Sequence, residues 1–118
     1  MIRPRFLADH DLNEHIVTGV LRLHPEIEFV RARDVGLADS SDLDLLAYAS
    51  RMSFCVVSHD VNTMPVAAAA AISTGGSFPG LFMVRQTTPV RTAIESLVLV
   101  CSASNQADWL NQVVFLPL

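Results

Sequence analysis

Five short runs of apolar residues punctuate this chain, and between them lie longer stretches whose apolar residues recur at helical spacing. The short runs are Arg5-Phe6-Leu7-Ala8, a stretch over 27–31 (IEFVR), one over 54–58 (FCVVS), one over 81–85 (LFMVR), and Val113-Val114-Phe115-Leu116-Pro117. They are too short for helices and rich in β-branched and aromatic residues, which marks strands. The stretches between them read as helices. Asp11 is placed to cap the first, with Glu14 completing a capping box and Leu12, Ile16, Val17, Val20 and Leu21 forming one face. Ser40 and Ser41 precede a helix reaching Met52, with Leu43, Leu46 and Ala47 on its inner side. Pro65 and the Ala67–Ala71 run form a third, stopped by Gly75-Gly76. Thr88 caps a fourth with Pro89 at its first position, and Ala93, Leu97, Val98 and Cys101 line it. Asn105 opens a short helical turn before the last strand.

Alternation of strand and helix implies a mainly parallel sheet with helices on both faces, a three-layer α/β sandwich. Right-handed crossovers leave few arrangements. The simplest has strand order 2-1-3-4 with the fifth at an edge, in one domain spanning residues 1–118, a length too small for two cores. The order then reverses between strands one and three, and ligands bind outside the carboxyl ends of strands at such a point.

Both strands that flank this point end on a carboxylate. Leu7-Ala8 runs into Asp9, and Val56-Val57-Ser58-His59 into Asp60. Two such acids facing one crevice repel unless a cation lies between them. Asp42 and Asp44, in the first turn of the second helix, belong to the same edge. Asp9, Asp42 and Asp60 are therefore the candidate catalytic and metal-ligating residues, an oxygen-rich set suited to Mg²⁺ or Mn²⁺. Asp42 and Asp44 would also stabilise a helix N-terminus with no further role. Asp11 reads as a cap, and Asp34 as an ion-pair partner of Arg33 or Arg31. Arg31, Arg33 and Arg85 follow strands two and four at this edge, where they suit phosphate binding or ordinary pairing with the excess acids.

Other chemistries find less support. Ser58, His59 and Asp60 are consecutive, so His59 points away from its neighbours and no nucleophilic triad forms. His10, His15 and His24 lack ligand spacing. Cys55 and Cys101 sit in apolar runs as reduced core residues. A net charge of −4 argues against a surface that coats nucleic acid. Every basic residue is arginine. A receiver-like phosphoacceptor module built on Asp60 is an alternative, but it would need a lysine after its last core strand. No apolar run approaches the roughly 18 residues of a membrane span, and no signal-peptide region precedes the first strand, so a cytoplasmic location without membrane partners is expected.

The chain resembles the small PIN-like domains, Mut7-C-like, of prokaryotic toxin–antitoxin-type operons. The resemblance rests on FLAD at 6–9, VRARDVGLADSSDLDLLAYA at 30–49, VVSHD at 56–60 and PGLFMVRQ at 79–86. It implies a metal-dependent endoribonuclease acting on single-stranded RNA, a toxin restrained by a cognate antitoxin, and a homodimer. Asp9, Asp42 and Asp60 match the family's acidic positions, and Arg33-Asp34 its Arg-Asp step. The sequence departs at His10, where the family often has an acid, and at His59, where it often has Arg or Lys. A third possibility is an inert PIN-like protein used for binding or dimerisation, to which the apolar stretches Val98–Cys101 and Val113–Leu116 would be suited.

Overall fold

The computed structural model describes residues 2–118. Its strands are β1 (Phe6–Ala8), β2 (Phe29–Arg31), β3 (Cys55–Ser58), β4 (Leu81–Val84) and β5 (Val113–Leu116). Its helices are α1 (Glu14–Leu23), α2 (Asp42–Met52), α3 (Met64–Ser73) and α4 (Val90–Ala103). Single 3-10 turns follow β2 at Ala32–Val35 and α4 at Gln106–Trp109. The five strands form one sheet in the order β2-β1-β3-β4-β5, every neighbouring pair parallel. The strands are a residue or two shorter than the apolar runs that announce them.

The sheet is buried on both faces, as parallel sheets are. On one face Phe6, Ala8, Phe29, Cys55, Val57, Phe82 and Val84 pack against Ile16, Val17 and Val20 of α1 and Ala93, Leu97 and Val100 of α4. On the other, Leu7, Val56, Leu81 and Met83 pack against Leu45, Leu46 and Ala49 of α2 and Met64, Ala67 and Ala68 of α3. Burial pushes the Cys55 thiol up to about 12, as befits an inert core residue.

Three helix details depart from the sequence reading. Helix α1 is capped by Asn13, whose side chain accepts the His15 N–H at 2.9 Å, and not by Asp11, which lies in an exposed turn. The Asp9–Leu12 turn delays the helix, because the Leu12 N–H is taken by the Asp9 carbonyl at 3.1 Å. Helix α2 buries Leu45, Leu46 and Ala49, while Leu43 and Ala47 face outward. Its cap is Ser41, so the inward face is phased from there. Pro89 is itself the cap of α4, which begins at Val90.

The fourth crossover departs from the rule used to choose the topology. The units β2–α2–β3 and β3–α3–β4 step across the sheet in one direction and place their helices on one face. The unit β4–α4–β5 steps in that same direction but places α4 on the opposite face, beside α1. It therefore has the opposite hand to the other three. Two helices cover each face, and β5 is left bare on the α2/α3 side, where Val113 and Phe115 are 38% and 41% exposed.

Gly80 joins the loop after α3 to β4 with φ +150°, and a Cβ there would meet the Trp109 Cβ at 2.9 Å and its carbonyl oxygen at 3.2 Å. Gly80→Ala is expected to lower stability by about 1–3 kcal/mol through strain and overpacking, read as a lower denaturant midpoint with an unchanged slope.

Candidate functional site

Parallel register places Ala8 beside Val57, so the residues that follow, Asp9 and Ser58, lie side by side at the carboxyl edge. The Asp9 N–H donates to the Val57 carbonyl at 2.9 Å, which locks the turn to β3. Asp9 is 9% exposed, and burying a carboxylate requires donors. It has three. The Ser58 hydroxyl donates to Oδ2 at 2.7 Å, the His10 N–H donates to Oδ1 at 2.8 Å, and the His10 ring meets Oδ1 through Nδ1 at 2.9 Å.

From Asp9 a chain of polar contacts runs along the carboxyl edge. Ser58 is fully buried, and its Oγ accepts the Asp60 N–H at 2.9 Å. The Asp60 Oδ1 accepts the N–H groups of Asn62 at 3.2 Å and Thr63 at 2.9 Å. Its Oδ2 meets the Thr63 hydroxyl, and that same hydroxyl lies 2.8 Å from Oδ2 of Asp42 at the start of α2. The Thr63 hydroxyl, followed by its N–H and that of Asn62, outweighs partial burial and holds the Asp60 carboxyl below its ordinary value. A hydroxyl carries one proton, so it can donate to only one of the two carboxylates it touches. The other faces an oxygen lone pair.

The three predicted acids thus share one edge of the sheet. Asp42 and Asp60 converge on one hydroxyl, and Asp9 is joined to them through Ser58. As the side chains stand, no group of three or more His, Cys, Asp or Glu residues among the described residues is close enough together to hold a metal ion. The donor chemistry nonetheless fits a hard cation at Asp42 and Asp60, since Mg²⁺ keeps several waters and uses one or two carboxylates. The Thr63 hydroxyl short of a second proton is the local feature that such a cation would relieve.

The predicted phosphate-binding arginines are differently engaged. The Arg31 Nε donates to both Glu14 oxygens at 2.8 and 2.9 Å, and Arg33 pairs with the same carboxylate at 2.7 Å. The Arg31 hydrogen bond, reinforced by both guanidinium charges, holds the Glu14 carboxyl below its usual range despite partial desolvation. Asp34 lies 3.8 Å from Arg31 and 4.0 Å from Arg33, the pairing anticipated from sequence. A cavity of about 120 Å³ lies between this cluster and the pair Asp9 and His10. Arg85 stands apart, over the ring of Phe115 at 4.6 Å.

Two histidines contribute more than their spacing suggested. His59 points away from Ser58 and Asp60. Its Nδ1 meets the Val84 carbonyl at 2.8 Å and its Nε2 accepts the Asn13 N–H at 3.2 Å, tying β3 to β4 and to the cap of α1. These partners assign the neutral ring protonated on Nδ1. His10 is held at both nitrogens by acceptors, the Asp9 carboxylate and the Leu37 carbonyl. Its position beside Asp9 was the available signal, because a buried carboxylate needs a partner and the chain has no lysine. Thr63, three residues after Asp60, carried a weaker one.

No protein-family model, curated protein or solved structure matches this chain.

Burial alone would lower the pKa of His10, but hydrogen bonds to the Leu37 carbonyl and Asp9 and the charges of Asp9 and Asp11 outweigh it, and the imidazolium persists above its ordinary 6.5. A raised folded-state pKa contributes stability that is fully present below pH 6.5 and is lost as pH rises through the folded value. The melting temperature of the wild type is expected to fall across that window, and His10→Gln is expected to remove this component. Titration of the ring by NMR should show a pKa above 6.5 that drops in Asp9→Asn.

Proposed function

We propose that the chain is a Mg²⁺- or Mn²⁺-dependent endoribonuclease acting on single-stranded RNA. The observation that carries this reading is the sharing of the Thr63 hydroxyl by Asp42 and Asp60, at the point where the strand order reverses and beside the buried Asp9. Carboxylates from separate elements converge there with one proton too few between them, which suits a divalent cation. The resemblance of FLAD, VRARD and VVSHD to PIN-like nucleases supports the same assignment. In that setting the chain acts as a toxin held in check by a partner antitoxin.

A divalent ion at this edge supplies Lewis-acid activation of the phosphoryl group and of the attacking water. The chain's own residues do the positioning. Asp42 and Asp60 would hold the ion, and Thr63 sets their mutual orientation. Ser58 keeps Asp9 aligned from within the core, and His10 offsets part of its charge. Arg33 is 60% exposed on its side chain and restrained by surface ion pairs, which contribute little. It is able to leave Glu14 for an RNA phosphate, whereas Arg31, whose Nε–H is shared between both Glu14 oxygens, keeps that carboxylate in place.

The test is cleavage of single-stranded RNA in Mn²⁺, with EDTA as control, by protein purified free of any partner. Asp9→Asn, Asp42→Asn and Asp60→Asn are each expected to lower the rate by about 100-fold or more, the scale of a lost transition-state charge interaction. Double variants should lose little more, because residues acting as one unit are non-additive. Asp11→Asn is expected to cleave normally. Mn²⁺ should raise the melting temperature of the wild type more than that of Asp60→Asn, since a ligand bound to the native state adds stability by mass action. Cleavage that persists in EDTA and in Asp60→Asn would overturn the assignment.

A further inference from the structure

Strand β5 is the outer strand on one side of the sheet, paired only with β4. Natural edge strands are guarded by charge, by a bulge or by a covering element. This one has a regular register with β4 and no helix over its α2/α3 side, and the charge beside it is the Arg85 guanidinium over the Phe115 ring at 4.6 Å. Residues 109–118 contain no charged side chain, α4 crosses on the far face, and Leu110, Val113, Phe115 and Leu118 are exposed. In a chain of net charge −4, this strip without acidic side chains lets a second copy approach without setting acid against acid.

The backbone shows which groups are available. The Leu81 N–H donates to the Gln112 carbonyl at 2.9 Å while Leu81 stands opposite Val113. In a parallel ladder this turns the N–H and C=O of Val114 and Leu116 toward β4 and those of Val113 and Phe115 outward. We propose that the chain forms a two-fold homodimer in which β5 pairs antiparallel with β5 of a second copy, the axis passing at Val114. This pairing does not depend on the nuclease reading.

The register follows from the flanking residues. Centring the pair on Val114 sets Val113 opposite Phe115 of the other copy, so both outward-facing residues of each strand exchange hydrogen bonds. Centring it on Phe115 instead would set Val113 opposite Pro117, which has no N–H. Centring it on Val113 would set Phe115 opposite Asn111, whose φ of 60° is not extended. An axis perpendicular to the sheet keeps the bare faces on one side, so Val113 and Phe115 of both copies form one apolar strip of β-branched and aromatic cross-strand pairs. The result is a ten-stranded sheet with its two acidic edges pointing in opposite directions.

Sedimentation of the wild type over about 1–500 μM is expected to show a monomer–dimer equilibrium. Val113→Pro removes an outward N–H that the β4 ladder does not use, and Phe115→Lys keeps the backbone but charges the strip. Both are expected to be monomeric with native circular dichroism. Should Val113→Pro fail to fold, Phe115→Lys and a cysteine variant decide. Val114→Cys lies at a non-hydrogen-bonded pair on the axis, where Cα atoms approach to roughly 4.5 Å and a disulfide is allowed. Mild oxidation should link its two copies, while the wild type, whose Cys55 and Cys101 are buried, should stay unlinked. A wild type that remains monomeric throughout, a dimer that survives Phe115→Lys, or a Val114→Cys protein that does not cross-link would each overturn the proposal.

Discussion

The pairing of β1 with β3 is the contact on which both fold and site depend. It joins strands far apart in sequence, through Cys55 N–H to the Arg5 carbonyl at 2.7 Å and Asp9 N–H to the Val57 carbonyl at 2.9 Å. It also creates the reversal of strand order, because β2 lies on one side of β1 and everything after β3 on the other. Without it Asp9 would be a lone acid at the end of a three-residue strand. With it, Asp9 and Ser58 emerge side by side, and a hydrogen bond between residues 49 positions apart anchors the polar chain that ends at Asp42.

That chain explains how charged residues are tolerated against so apolar a sheet. Each buried polar atom on it is satisfied by a neighbour that is itself held: Asp9 by Ser58 and His10, Ser58 by Asp9 and Asp60, Asp60 by the first turn leading into α3. Polar networks inside a core stabilise only when their members are satisfied. The shared Thr63 hydroxyl is the exception, and it lies at the exposed end of the chain, where solvent or a bound ion reaches it. The inner members hold the geometry, and the outer pair of carboxylates, Asp42 and Asp60, stays partly exposed.

The hand of the last crossover has a different consequence. Because α4 packs beside α1, both faces of the central strands are covered evenly, and the cost falls on β5 alone. Gly19 permits the close approach, since a Cβ there would run into the Ile94 side chain. The same packing leaves Val113 and Phe115 without a covering helix, and the Arg85 guanidinium lies over the exposed Phe115 ring.

Much of this was legible in the residues themselves. Apolar runs of strand length between amphipathic stretches determined a parallel α/β sheet and its order, because an alternating pattern leaves few ways to bury both faces. Strand ends on Asp9 and Asp60 marked the candidate edge, and the structure brings them to the same end of the sheet with Asp42. Other features depended on contacts between elements distant in sequence. Asn13, not Asp11, caps α1 because the Asp9 turn occupies the intervening residues. Arg31 and Arg33 turn to Glu14 because β2 lies beside α1, and His10 becomes the partner of Asp9 because Leu37 presents a carbonyl to its far nitrogen. The side of the sheet taken by α4 was likewise beyond the reach of periodicity: an apolar helix face does not say which side of a two-sided sheet it covers, and the right-handed rule would have set α4 beside α3, whereas it packs beside α1.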